Sequence, residues 1–368
     1  MPITADFNRQ VYCLLGLPFD ALCKTAAVQH IRDAAANRLP CFLSTPNLNF
    51  LIASQSDIAF RNSVINSDLS VADGMPIVWI ARLLGIPIRE RVAGSDLFEQ
   101  LRTKSNTRLS VYFFGGVQGV AETACQQLNA NPHGIVCTGF ASPGFASIQE
   151  MSGDETIERI NASGADFLVV ALGAKKGQAW IEHNRARISV PVISHLGAVV
   201  NFVAGRLDRA PVWIQRSGLE WLWRIKEEPA LWIRYASDGL VFMKLLVTRV
   251  IPYSWLMFWR KPEKQKTESA TIESVDAGGE IIIRLRGAWM QNNLLPLRQF
   301  FSGPALAGRD VRIELEYATY VDSAFIGLLL LLSGDRQRQG KRLSVVNTKK
   351  NVRQIFRYAC AEFLLESQ

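Results

Sequence analysis

The sequence predicts an α/β protein: a mainly parallel sheet with helices on both faces, a helical membrane-associating appendage and a second, smaller α/β domain. Three observations lead to this prediction. Short apolar runs alternate with amphipathic stretches through residues 1–205, residues 206–260 are basic and rich in tryptophan, and the alternation restarts over residues 271–368 after a charged linker at 261–270. A chain of 368 residues also exceeds what one hydrophobic core usually supports, so two domains are expected.

The strands of the first domain are short apolar runs, and the stretches between them are long enough for crossover helices. The predicted strands are Val11–Leu15, Cys41–Ser44, Leu109–Phe114, Ile135–Thr138, Phe167–Leu172 and Val190–Ser194. Glycines follow several of them, at Gly115-Gly116, Gly139, Gly173 and Gly197. In such sheets the ligand lies beyond the carboxyl ends of the strands, so the sequence places a candidate site at these turns.

The appendage is distinguished by its charge and its aromatic residues. Arg206–Lys266 holds twelve Lys/Arg against six Asp/Glu, together with six of the nine tryptophans. Leu240–Trp259 is strongly apolar, but Lys244, Arg249 and Pro252 interrupt it, whereas a spanning helix needs about 20 apolar residues with few charges. The pattern favours a helix lying in the headgroup region. A helical subdomain that packs its tryptophans onto the core is the alternative.

The third part of the chain follows a solvated linker, Arg260–Ser269. Strands and helices then alternate as in an independent α/β unit. The predicted strands are Ile281–Arg286, Val311–Glu316 and Leu343–Val346, and the predicted helices are Leu294–Phe301, Ala324–Arg338 and Asn351–Leu364.

The overall composition restricts the function less than the motifs do. A formal charge of +8 calls for an acidic partner, which nucleic acid, anionic lipid or a phosphorylated substrate would satisfy. Tryptophan mixed with leucine and valine suits lipid better than base stacking, so nucleic acid is not expected.

The six cysteines show no framework spacing and indicate buried thiols in a reducing compartment. The four histidines do not cluster, and the polar N-terminus lacks a signal-peptide core, so neither a metal site nor export is predicted.

Several common active-site motifs are missing from the sequence. There is no P-loop, no GxSxG and no HExxH, and Gly115–Gly119 is a poor match to a dinucleotide fingerprint. Polar residues at strand ends remain as candidates. Thr45-Pro46-Asn47 directly follows the second predicted strand, where the proline favours an extended turn and leaves a hydroxyl and an amide at the sheet edge.

Two further segments are open to two interpretations each. Asp73 lies just before the apolar helix Ile77–Leu84, so it is either a cap of that helix or a general base. Arg91 lies just before a helix that Ser95 is expected to cap. That combination suits a diphosphate, and a structural cap with a surface salt bridge is the alternative.

Together these segments resemble the conserved blocks of the WecG/TagA/CpsF glycosyltransferase family, in the right order from about Val11 to Val250. The matching blocks are Thr45–Asn47, Asp73–Pro76, Arg91–Asp96, Phe113–Gly116, Gly197–Gly205, and a C-terminal signature made of Arg209–Pro211, Trp213, Gly218–Trp221, Arg224, Glu228-Pro229 and Arg234-Tyr235.

The resemblance implies an inverting, metal-independent transferase without a cofactor. It would move a sugar from a UDP-sugar to a polyprenyl-diphosphate-linked saccharide at the cytoplasmic face of the membrane, in exopolysaccharide or surface glycan synthesis. Asp73 matches the proposed catalytic base of the family. The predicted substrate-binding residues are Thr45, Asn47, Arg91, Gly115, Gly116, Gly173, Gln178, Asn201, Arg209, Arg216 and Arg224.

The sequence departs from this family at the sugar pocket. The usual Gly-x-Pro-Lys-Gln-Glu is replaced by Gly173–Gln178, so that Gly177 stands for the glutamine and Gln178 for the glutamate. The usual Phe-Asp is replaced by Val200-Asn201. The identity of the sugar is therefore open. The alternative function is a catalytically weakened regulatory protein that acts through its C-terminal domain.

The C-terminal domain resembles a STAS domain, the fold of anti-sigma-factor antagonists. Val321–Ala324 opens an apolar helix as the switch loop of that family does. In relatives a hydroxyl in this loop is phosphorylated, and the added charge changes partner binding. Here Ser323 is the only such acceptor, because Ala324 removes a second hydroxyl. A protein partner is thus one expectation, and Asp322 with Ser323 as an N-cap pair is the alternative.

Overall fold

The structure is a computed structural model. It describes residues 5–103, 107–207, 210–211, 213–214, 218, 220–227, 229, 231–259 and 270–366. The predicted linker at 261–270 lies almost wholly outside the described residues, and so do Arg209 and Arg216.

An antiparallel hairpin precedes the main sheet. Its strands are β1 (Val11–Leu14) and β2 (Leu17–Asp20), joined by Leu15 and Gly16, both with positive φ. The sequence prediction that Val11–Leu15 belongs to the parallel sheet is therefore wrong. The tight Leu-Gly turn returns the chain at once, so the strand pairs locally and packs on the C-terminal domain.

The main sheet has six described strands, and every pairing within it is parallel. The strands are β3 (Cys41–Ser44), β4 (Leu69–Ser70), β5 (Leu109–Gly115), β6 (Ile135–Ala141), β7 (Phe167–Ala171) and β8 (Val192–His195), in the order β4-β3-β8-β7-β5-β6. The first-domain helices are α1 (Lys24–Ala36), α2 (Leu48–Ala53), α3 (Ile58–Ile65), α4 (Met75–Leu83), α5 (Gly94–Arg102), α6 (Val120–Ala130), α7 (Asp154–Ala162), α8 (Ala174–Asn184) and α9 (Gly197–Val203).

Helices cover both faces of this sheet, as the sequence predicts. Neighbouring residues of β5 point to opposite faces, so Phe113 enters one apolar core and Phe114 the other. Phe114 stacks on Trp180 of α8, with ring centroids 4.3 Å apart. Because all strands run the same way, the residues that follow β4, β3, β8, β7 and β5 meet at one edge of the sheet.

The appendage is helical, as predicted. It contains α10 (Glu220–Glu227), α11 (Leu231–Leu245), a π-helical turn (Leu246–Val250) and α12 (Ile251–Trp259). The continuous stretch Trp232–Trp259 is 28 residues long and, by length and composition only, apolar enough to cross a membrane. The sequence argument that Lys244, Arg249 and Pro252 make this part of the chain fall short of a spanning helix is therefore not supported by its length and composition.

The C-terminal domain is a smaller mixed sheet with helices, as predicted. Its strands are β9 (Thr271–Asp276), β10 (Glu280–Trp289), β11 (Asp310–Val321) and β12 (Leu343–Val346), in the order β12-β11-β10-β9, and its helices are α13 (Leu295–Ser302), α14 (Ser323–Arg338) and α15 (Lys350–Tyr358). The sequence analysis missed β9, an antiparallel edge strand that is mostly exposed and lacks an apolar run.

The two domains share one continuous apolar core, because the hairpin packs directly on α14. The backbone of Val11 passes so close to Gly327 that a Cβ there would lie 2.4 Å from the carbonyl oxygen. Polar contacts surround this packing. The backbone N–H of Ala5 donates to Asp335 Oδ1 (2.9 Å), and Arg338 Nη1 donates to the carbonyl oxygen of Asn66 (3.1 Å).

Ser323, the predicted phosphorylation acceptor, lies inside this interface. It is 5% exposed and its hydroxyl donates to the carbonyl oxygen of Cys13 (2.7 Å). Asp322 is the N-cap of α14 and accepts from the backbone N–H of Phe325 (2.9 Å). The capping interpretation therefore holds for Asp322. A kinase has no access to the Ser323 hydroxyl while the two domains are joined in this way.

The cysteines differ from the prediction of unpaired, buried thiols. Cys125 on α6 and Cys137 on β6 form a disulfide, and Cys23 is exposed. Sequence spacing missed the pair because the two residues meet only through the packing of the helix on its strand.

Candidate active site

The Thr45-Pro46-Asn47 turn occupies the carboxyl end of β3, which lies between β4 and β8 in the sheet. Asn47 is the N-cap of α2, and its side-chain oxygen accepts from the backbone N–H of Phe50 (3.2 Å). Thr45 is 7% exposed and faces the start of α5, where a Cβ on Gly94 would lie 3.5 Å from Thr45 Oγ1. The turn is thus held rigidly between two helix N-termini.

Asp73 lies beside this turn, beyond the end of β4. Its backbone N–H donates to the carbonyl oxygen of Pro46 (2.9 Å), and its carboxylate accepts from the backbone N–H of Gly94. The N-cap residue of α4 is Gly74, and that helix has no side-chain cap. The interpretation of Asp73 as the cap of this helix is therefore wrong, and the carboxylate is turned toward the start of α5 instead.

Arg91 contributes positive charge to the same edge. Its guanidinium forms ion pairs with Asp96 (3.1 Å) and with Glu220, and its side chain is only 12% exposed. Asp96 lies in the first turn of α5, whereas Glu220 opens α10. Ser95 does not cap α5, because the helix begins at Gly94 with Ala93 as its N-cap residue. The ion pair expected at the surface thus joins the appendage to the site.

The electrostatics of Asp73 follow from this arrangement. Burial raises the pKa of the carboxyl to about 6, with further raising by the charges of Glu220 and Asp96. Arg91 and the hydrogen bond from Gly94 act in the opposite direction. A carboxyl with a pKa near 6 is mostly ionised at neutral pH and is a stronger base than an ordinary aspartate.

Glycine-containing turns follow β5 and β7 at the same edge of the sheet. A Cβ at Gly115 would lie 2.7 Å from the carbonyl oxygen of Ala171, and φ is +100° there, so only glycine fits. The N–H of Gly116 donates to the same oxygen (2.8 Å). Gly173 is the N-cap residue of α8, with φ +81°. Three of the predicted binding residues therefore shape the backbone at the ends of β5 and β7.

Some of the predicted binding residues do not reach the open edge. Gln178 is 1% exposed and donates to Ser44 Oγ (2.9 Å), so it supports β3 from inside the protein. Asn201 lies one turn into α9 and is half-buried. Arg224 belongs to α10, but its side chain lies outside the described residues.

Two residues near the edge were not singled out as functional by the sequence analysis. Glu220 lies within a quoted block, but nothing in the block shows that its carboxylate reaches Arg91 across 129 positions of sequence. His195 ends β8, between the strands that lead to Thr45 and Gly173. Its place directly after a predicted buried strand was the signal that could have identified it.

Comparison with known proteins assigns a family to each of the two parts of the chain. Residues 12–254 match the family model described as "Glycosyl transferase WecG/TagA/CpsF family", and residues 274–366 match the model "Mlab, STAS domain". These matches cover the main sheet with the appendage, and the C-terminal domain, respectively.

Similar curated proteins are named N-acetylglucosaminyldiphosphoundecaprenol N-acetyl-beta-D-mannosaminyltransferase. The protein from Bacillus spizizenii is 28% identical over 58% of this chain and 82% of its own length. Those from Bacillus subtilis and Staphylococcus aureus are each 25% identical, over 63% and 61% of this chain and 88% and 87% of their own lengths.

Proposed function

The chain belongs to the WecG/TagA/CpsF family of glycosyltransferases, with a STAS domain behind the transferase part, and from this membership we propose its reaction. It moves a sugar from a UDP-sugar to a saccharide carried on a polyprenyl diphosphate, with inversion and without a metal, in exopolysaccharide or surface glycan synthesis. The names of its relatives support this proposal, since those proteins act on a sugar linked to diphosphoundecaprenol.

Asp73 is the general base of the proposed reaction. An acceptor hydroxyl at the carboxyl edge of the sheet transfers its proton to the Asp73 carboxylate and attacks the anomeric carbon of the donor. The bond from that carbon to the diphosphate breaks on the opposite side, which inverts the anomeric configuration. The raised pKa of about 6 suits this step, since the base is ionised at neutral pH yet basic enough to take the proton.

Arg91 stabilises the leaving UDP. In the structure its guanidinium holds two carboxylates, Asp96 and Glu220, in a mostly buried setting. A diphosphate has the charge and the oxygens to take the place of Glu220 there. The first turn of α5 adds partial positive charge close by. We infer that these groups carry the role that a divalent cation has in other transferases.

The observation that carries the proposal is the half-buried Asp73 carboxyl, with its raised pKa and the opposing charge of Arg91, at the shared strand ends. To test it, purified protein with a chelator present would be given a panel of UDP-hexoses and UDP-N-acetylhexosamines and a lipid-diphosphate-linked N-acetylglucosamine. We expect acceptor-dependent release of UDP from at least one donor. Absence of release from every donor, with UDP binding retained, would favour the regulatory alternative.

The protein is proposed to work on the inner face of the membrane, where its lipid-linked acceptor lies and its UDP-sugar donor is available. Exposed apolar residues recur every three or four positions along the appendage, with exposed fractions from 53% to 76%. They are Leu240, Met243, Val247, Ile251 and Trp255. Leu245, Val250 and Tyr253 of the same stretch are buried against the protein, so lipid cannot surround the helix at these positions.

The contacts of this helix with the rest of the protein are specific. Asn49 Nδ2 donates to Asp238 (3.1 Å), Arg249 forms an ion pair with Glu362 (3.4 Å), and Tyr253 is fully buried. A helix fixed to both domains along one side fits an interfacial position better than a spanning one. This argument favours the peripheral arrangement despite the length of the helix.

Removing three apolar side chains of the exposed stripe is expected to weaken membrane binding. The variant Leu240→Gln/Val247→Gln/Trp255→Gln should lower binding to vesicles of anionic phospholipid about tenfold or more, because less apolar surface enters the interface. The matched control is Leu39→Gln/Ile58→Gln/Leu295→Gln, which changes three apolar residues of similar exposure elsewhere on the surface. Co-sedimentation measures both, and equal binding of the two variants would contradict the interfacial helix.

A further inference from the structure

His195 ends β8 at the same edge of the sheet as the proposed site. Its strand lies between β3, which leads to Thr45, and β7, which leads to Gly173. The next residue, Leu196, contacts the start of α5, where a Cβ on Gly94 would lie 2.4 Å from Leu196 Cδ2. The strand end that carries His195 therefore lies at the sheet edge where the proposed function places the substrate, and the ring itself packs against Gly177 of α8.

The ring of His195 occupies a space that two glycines provide. A Cβ at Gly177 would lie 2.3 Å from His195 Cδ2, and a Cβ at Gly197 would lie 3.2 Å from Nε2. Neither glycine has the positive φ that would require one for backbone reasons. Gly177 moreover lies inside α8, where glycine is a poor helix former. We therefore attribute glycine at these two positions to the space that the imidazole ring needs.

The ring nitrogens have different surroundings. Nε2 is closed off from solvent and has no hydrogen-bond partner, and it faces the first turn of α8. Burial lowers the pKa of His195 to about 4, so the ring is neutral at physiological pH and carries one proton. Partial positive charge at the start of α8 favours a lone pair on Nε2. The proton then sits on Nδ1, on the edge of the ring turned away from both glycines, and the residue keeps part of its surface exposed.

We propose that His195 is a specificity residue for the transferred sugar, with Nδ1–H donating a hydrogen bond to a neutral oxygen of that sugar. This inference rests on the proposed transferase function. Position 177 is also where this sequence departs from the resembled pattern, which has glutamine there. In this chain His195, at the end of β8, places a polar side chain beside position 177, where the resembled pattern has a polar side chain on α8.

The test compares variants of His195 by their affinities for UDP and for UDP-sugars. His195→Phe keeps a ring of similar shape between the glycines but removes the nitrogen. We expect its KM for the preferred donor to rise about tenfold, the usual effect of one lost hydrogen bond, with kcat changed less and the dissociation constant of UDP alone unchanged. Because UDP lacks the sugar, its dissociation constant distinguishes the loss of a contact with the sugar from general damage to the site.

A second variant addresses loss of folding. Gly177→Gln/His195→Gly returns a hydrogen-bonding side chain to α8 and removes the ring that it would strike. We expect this protein to fold, to bind UDP normally and to change its ranking of donor sugars by about tenfold. Gly177→Gln alone should be much less stable, because its Cβ meets the imidazole.

The outcomes are distinguishable. The inference would be overturned if the donor KM is unchanged in His195→Phe and the donor ranking is unchanged in the double variant. It would also be overturned if the affinities for UDP and for UDP-sugars fall in parallel. If the wild-type chain transfers from no donor, the transferase proposal fails. In that case calorimetric binding of UDP-sugars relative to UDP, in wild type and His195→Phe, still decides whether His195 contacts the sugar.

Discussion

Replacing Asp73 by asparagine is expected to lower kcat by about 10²- to 10⁴-fold, the usual contribution of a general base. The change removes the proton acceptor and keeps the shape of the side chain. Asparagine can still accept from the backbone N–H of Gly94, as the carboxylate does. Folding should not suffer, because a half-buried charge is replaced by a neutral amide. The affinity for UDP should stay within a few fold, since Arg91 is untouched.

Two measurements check this expectation. UDP release gives the turnover, and calorimetry gives the affinity for UDP. Asp33→Asn is the matched control, the same chemical change on the exposed surface of α1, and it should leave both quantities unchanged. Near-normal turnover in Asp73→Asn would remove Asp73 as the base.

The pH dependence provides an independent test of the same assignment. The base acts in its ionised form, so kcat/KM should fall as the pH drops below about 6, where the Asp73 carboxyl becomes protonated. Glu220 raises the pKa of Asp73, so Glu220→Gln should move this acid limb to lower pH. A limb that stays in place in Glu220→Gln would show that another group titrates.

The position of the candidate site at the sheet edge could be predicted from sequence, whereas the ion pairs and side-chain orientations of its residues could not. Thr45 follows a buried strand that the sequence predicts, whereas Asp73 follows β4, a strand of two residues that the sequence analysis missed. Parallel strands bring such positions together at one edge of the sheet. The ion pair between Arg91 and Glu220 depends on how the appendage folds back, which no local pattern encodes. The family resemblance places Gln178 among the substrate-binding residues, but a motif does not show which way a side chain points, and Gln178 lies inside the protein.

The fold was predictable where strands pair within one sheet, and less predictable where the two domains meet. The alternating apolar runs of β5 and β7 predict a parallel sheet, and the sheet is there. Val11–Leu14 has the same apolar character, but its burial comes from α14, more than 300 positions away in the sequence. A strand whose partner is a distant domain looks, in sequence, like a strand of the nearest sheet.

This shared interface changes what the STAS domain can do. The start of α14, where the predicted switch serine lies, faces the hairpin of the transferase domain. The surface available for a separate protein partner at this point is therefore already occupied by the same chain. A role in holding the transferase domain and its appendage together follows from these contacts more directly than a phosphorylation switch.

Replacing Gly327 by valine is expected to separate the two domains and to destabilise the protein by about 3 kcal/mol. The Cβ of the new residue would lie 2.4 Å from the carbonyl oxygen of Val11, which is backbone and cannot rotate away. The hairpin must then leave α14, and the hydrogen bond from Ser323 to Cys13 is lost with it. Urea unfolding should show a lower midpoint, and small-angle scattering should show a larger radius of gyration.

The control is Gly239→Ala on α11, where a Cβ meets no atom within 4 Å. That change should be neutral or stabilising by up to about 1 kcal/mol, since alanine favours a helix. If Gly327→Val keeps the stability and compactness of the wild type, the hairpin is not fixed to α14 in solution, and Ser323 becomes open to modification. If the domains separate as expected and UDP release falls while UDP still binds, the STAS domain acts on the transferase through this contact.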